Sequence, residues 1–139
     1  MILFPFERIE SVPNGRGGVS DLSKEDEFID VADKFILKSV RGVRQPHYSG
    51  IAAFMFEAQI KIDFDEHYNL SDVEFRIAAQ ETMLKELSLE LDGVNLLETS
   101  LSGVSETLRK MKISTNEIDV GLEAREIGLS FFPMILKVA

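Results

Sequence analysis

The stretch from Ile51 to Gly93 constrains the fold more than any other part of this sequence. Phe54, Phe56, Ala58, Ile60, Ile62 and Phe64 alternate with Met55, Glu57, Gln59, Lys61, Asp63 and Asp65. A period of two over this length predicts a strand with one buried and one wet face. Asp65-Glu-His-Tyr-Asn69 then leads into Leu70-Ser-Asp-Val-Glu-Phe75, which carries helix-start signals. Ser71 stands as an N-cap with Glu74 three residues on, and Leu70 and Phe75 are placed as a hydrophobic staple. The spacing therefore predicts a helix over 71–91, with Val73, Ile77, Leu84, Leu87 and Leu91 in one stripe against the sheet.

Phe75, Ala78, Ala79, Thr82 and Leu89 fall on the opposite side of that helix. A face so small and apolar suits close approach of another element. It is expected to be filled either by a second helix of this chain or by a neighbouring subunit. The C-terminal end has an alternative reading, because Leu87 to Leu96 alternates around Asp92-Gly93, a hairpin signal.

The flanking segments add further elements. Residues 2–12 read as extended, with Pro5 at an edge or strand start, and Pro13-Asn14-Gly15 is a turn. Ser23 as a cap, followed by Phe28, Val31 and Ala32, predicts a helix over 24–33, with 34–44 open between helix and strand. Leu97, Leu101, Val104, Leu108 and Met111 recur at spacings of three and four, which predicts another helix. Ile118, Val120, Leu122 and Ala124 alternate as a strand, and Leu129 to Val138 forms a last extended run containing Pro133. The expected fold class is α+β: a mostly antiparallel sheet packed by two to three helices, in a single domain of 139 residues.

Composition removes several classes of function. Cysteine is absent, which excludes disulfides, thiolate metal sites and cysteine nucleophiles. The net charge of -9 opposes generic binding to phosphate backbones, so nucleic acid is not an expected partner. No apolar run approaches the roughly 20 residues of a membrane helix, and Met1-Ile-Leu-Phe-Pro-Phe6 lacks the features of a signal peptide. A cytoplasmic protein, or a particle assembled in the cytoplasm, is the expected setting. Phosphate-loop, nucleophile-elbow and zinc-protease signatures are all missing.

Three groups of residues remain as candidates. Asp63, Asp65 and His67 share a face if the strand continues, and their oxygen and nitrogen donors suit Mn²⁺, Mg²⁺ or Zn²⁺. Dipole and turn preferences alone also place acids between a strand and a helix start. Lys34, Lys38, Arg41 and Arg44 form a basic cluster that suits an anion or the chain's own carboxylates. Phe75, Ala78, Ala79, Thr82 and Leu89, together with Phe131 and Phe132 beside Pro133, form an apolar set suited to an interface. The reading that unites these features is a non-enzymatic structural or assembly subunit, without a cofactor, that forms a homo-oligomer or packs with other proteins. A viral or contractile-tail particle is one such setting. A small metal-dependent enzyme or metal-binding domain built on Asp63, Asp65 and His67 is the alternative.

Overall fold

The computed structural model describes residues 1–45, 48–55, 59–76, 87–97, 101–133 and 135–139. The chain is mostly β, with about half of it in strands and two helices among the described residues. This is richer in sheet than the α+β arrangement expected from the pattern. The strands in chain order are β1 (Ile2–Phe4), β2 (Arg8–Pro13), β3 (Val19–Ser23), β4 (Ser39–Gln45), β5 (Tyr48–Met55) and β6 (Ile60–Phe64). There follow β7 (Leu70–Arg76), β8 (Glu90–Leu91), β9 (Val94–Asn95), β10 (Asn116–Ile118), β11 (Gly121–Ala124), β12 (Leu129–Phe132) and β13 (Ile135–Val138). Helix α1 spans Phe28–Lys34 and α2 spans Leu101–Lys110.

Two sheets result. The smaller has the order β3-β2-β1-β8-β9, and the larger has the order β10-β11-β12-β13-β7-β6-β5-β4 with every pair antiparallel. In the smaller sheet only β1 and β8 run parallel. Leu3, Ile9, Val12 and Leu22 from the smaller sheet share one continuous buried cluster with Ile60, Ile62, Phe75, Leu129 and Leu136 from the larger. Val31 and Phe35 from and just after α1, and Val104 and Leu108 from α2, complete it.

The predicted strand over 54–65 is two strands. The chain reverses between Met55 and Ile60, which lie opposite each other. Crossing that reversal changes which parity faces the core: Ala53 and Met55 are buried on one arm, Ile60, Ile62 and Phe64 on the other. Phe54 therefore lies on the opposite face, beneath the Arg41 guanidinium at 5.1 Å from its ring centre. Phe56 and Ala58 lie outside the described residues.

The predicted helix over 71–91 is corrected as well, because its first turns are the central strand β7. Val73 lies opposite Ile62 and Val138, and Phe75 lies opposite Ile60 and Leu136. A favourable cap is worth about 1 kcal/mol. Fully burying Val or Phe is worth about 1.5–3 kcal/mol each, so the sheet outweighs the local helix signals. The Ser71 hydroxyl donates to the Asp63 carbonyl at 3.0 Å, beside the register shift where β6 and β7 bulge. Residues 77–86 lie outside the description. Beyond them the hairpin reading holds: β8 and β9 flank Asp92-Gly93, whose φ values of 49° and 81° suit a two-residue turn.

The other elements follow their sequence signals with shifted bounds. Helix α1 starts at Phe28 and not near 24, because Phe28 donates its amide to the Tyr68 carbonyl and Leu70 donates to Asp26. The Asp30 carboxylate accepts the Glu27 amide at 2.8 Å and closes the helix start. Helix α2 lies within the expected 97–111, with Val104 and Leu108 buried. The extended readings of 2–12, 118–124 and 129–138 each resolve into a hairpin, with Pro5 in the first turn and Val120 exposed in the second.

Candidate functional site: a carboxylate cluster on the larger sheet

Alternation on the β6–β7–β13 ladder sends Ile62, Val73 and Val138 to the core and leaves the other parity for charge. Asp63 is opposite Asp72, Lys61 is opposite Glu74, and Glu74 is also opposite Lys137. The result is three carboxylates and two ammonium groups on one face of neighbouring strands. Carboxylate oxygens of Asp63, Asp72 and Glu74 come within 4.8 Å of one another. Lys61 reaches Asp63 at 3.4 Å and Glu74 at 3.8 Å, and Lys137 reaches Asp72 at 3.6 Å.

Burial makes this cluster unlike a surface ion-pair network. Asp63 is only 7% exposed. Desolvation is the main reason that the Asp72 carboxyl is pushed up from 3.8 to about 7. Its side-chain hydrogen bond with Asp63 and the negative charges of Asp63 and Glu74 act in the same direction, and Lys137 opposes them. Two carboxylates opposed across a ladder repel unless one holds a proton, so protonated Asp72 donating to Asp63 is the stable arrangement near neutrality. The Asp72 Oδ1 atom is buried without a hydrogen-bond partner, which adds to the cost of ionising this group.

The sequence candidates map differently. Of Asp63, Asp65 and His67, only Asp63 belongs to this cluster. Asp65 caps the β6–β7 turn, its Oδ1 accepting the amides of His67 at 2.8 Å and Asn69 at 3.0 Å. His67 is exposed and pairs with Glu66 at 3.4 Å. Asp72 and Glu74 were legible as the wet parity beside Val73 and Phe75, but the same two acids also fit a helix N-terminus.

The basic cluster is dispersed. Lys34 is bound to Asp26 at 2.7 Å and to the Asp21 carbonyl, so it joins the chain's own acids. Arg41 stacks on Phe54, while Arg44 lines a cleft of about 380 Å³ with Val40, Gly42, Asp65, Glu66 and Tyr68. Lys38 is exposed just before β4. In the apolar set, Phe75, Leu89 and Phe131 are buried inside the chain itself, and Phe132 is half-buried. Ala78, Ala79 and Thr82 lie outside the described residues. Among the described residues, no helix is long and apolar enough to cross a membrane. No family model, curated protein or solved structure matches the chain.

Proposed function

We propose that the chain is a non-enzymatic assembly subunit that joins other protein surfaces through the open edge of its larger sheet. The observation that carries this reading is β4. It is a seven-residue strand ending an eight-stranded sheet, and among the described residues it pairs on one side only, with β5. Half of its backbone donors and acceptors therefore point outward, which makes it a template for a further strand. Val40 is 48% exposed on this strand, and the cleft bounded by Tyr68 and Arg44 adjoins it. A particle built of many copies, viral or contractile-tail in kind, is a setting in which such an edge would be used.

Sedimentation velocity over a wide range of concentration tests the reading. Reversible growth in mass with concentration is the expected result. A monomer throughout would remove self-assembly as the function.

The carboxylate cluster favours a second reading, because three oxygens at this spacing are donors suited to Mg²⁺ or Mn²⁺. Asp72 and Glu74 would then replace Asp65 and His67 in the ligand set. Lys61 and Lys137 already neutralise much of that charge. Assembly is therefore the leading reading.

A further inference from the structure

We infer that the partner of the β4 edge is the β10 edge of a second copy of this chain, so that copies join head to tail into one continuous sheet. This inference rests on the assembly reading and specifies its partner. The larger sheet has two ends, β4 and β10, and among the described residues each pairs on one side only. Their charges differ in sign. Arg41 and Arg44 lie on β4 with Lys38 just before it, whereas Glu117 lies on β10 with Asp119 just after it.

Face parity supports the match. Val40 of β4 lies opposite Ala53, a core residue, so Arg44 at the same parity projects from the core side of the sheet. Glu117 of β10 lies opposite buried Leu122 and so projects from the same side. In a sheet continued from β4 of one copy to β10 of the next, Arg44 and Glu117 fall on one face. Cross-strand pairs of opposite charge stabilise a ladder, and like pairs destabilise it. Pairing two β4 edges would set bases near bases, and pairing two β10 edges would set acids near acids. The overall charge of -9 also opposes unspecific association, so a local match of sign is what permits contact. Because the two edges differ, the contact is heterologous, and it gives a ring if the rotation closes or a filament if it does not.

Charge exchange tests the arrangement, with sedimentation of the full chain as the readout and circular dichroism to confirm folding. Arg44→Glu and Glu117→Lys should each shift the species toward monomer, by up to about thirtyfold in dissociation constant, because a favourable pair is lost and an equal repulsion replaces it. The double variant Arg44→Glu with Glu117→Lys restores complementarity and should recover most of the association. Mixing the two single variants pairs opposite charges at every contact between unlike copies, and should recover association that neither variant shows alone. If the wild type assembles but Glu117→Lys has no effect, the head-to-tail inference is overturned while the assembly reading stands. If the wild type stays monomeric at every concentration, self-assembly and the head-to-tail inference are both overturned.

Discussion

Replacing Asp72 by Asn should stabilise the protein above neutral pH and leave it unchanged in acid. In the folded chain burial and the contact with Asp63 raise the Asp72 carboxyl from 3.8 to about 7. Between those two values the folded state binds a proton that the unfolded chain has lost, so stability falls as pH rises through the window. Above about 7 both states are ionised and the full penalty is present. Holding the charge in this site corresponds to at most about 4 kcal/mol. Partial exposure and the Lys137 ammonium at 3.6 Å bring the expected effect to about 1–2 kcal/mol. Asn carries no charge, and its amide donates to Asp63 much as the protonated acid does. Urea unfolding of both proteins at several pH values gives the test, and the difference between them isolates this group from every other carboxylate. The expected difference is near zero below about pH 4 and grows to about 1–2 kcal/mol in favour of the variant by about pH 8. A difference that does not vary with pH, or a variant less stable at the alkaline end, would refute the reasoning.

Other outcomes follow from the same structure. Phe75→Ala should cost about 3–5 kcal/mol in unfolding free energy, because the side chain is fully buried inside the chain; an effect on oligomer state alone would return Phe75 to an interface. Gly128→Ala should lower the melting temperature, since Gly128 has φ 67° and an added Cβ would meet Phe6 at 2.7 Å. The loss should be about 1–3 kcal/mol, and Phe6→Ala in the same chain should recover only its steric part. Titration calorimetry with Mg²⁺, Mn²⁺ and Zn²⁺ should give no binding heat that Asp72→Asn abolishes, because Lys61 and Lys137 stand against the carboxylates; such a heat would favour the metal-binding reading.

Where sequence and structure part company, the cause is usually a chain reversal inside a uniform pattern. Alternation at 54–64 looks continuous, yet the pairing of Met55 with Ile60 means that odd residues face the core before the turn and even residues after it. The pair Phe132 and Ile135 does the same around Pro133, so Phe131 and Leu136 are buried together. A pattern that keeps its period through a turn contains no local mark of the reversal. The error at β7 has a different origin: Ser71 and Glu74 fit a capping box, while Val73 and Phe75 fit a buried strand face. Long-range pairing with β6 and β13 decided between them, and no window of the sequence contains that pairing. Local chemistry was legible where it did not depend on distant partners. The Asp92-Gly93 turn, the amphipathic α2 and the turn after Pro13 are all of this kind. Asp63 lies in a carboxylate cluster, but its neighbours Asp72 and Glu74 come from across the ladder and not from along the chain.

Assembly through β4 is the central claim, and amide hydrogen exchange of Ser39–Gln45 at low and high protein concentration tests it most directly. The outward amides of an open edge exchange freely until a further strand pairs with them. The account predicts that alternate amides of β4 become protected as concentration rises, together with those of Asn116–Ile118 in β10. Exchange in β4 that is equally fast at every concentration, in a protein whose core amides are protected throughout, would contradict it.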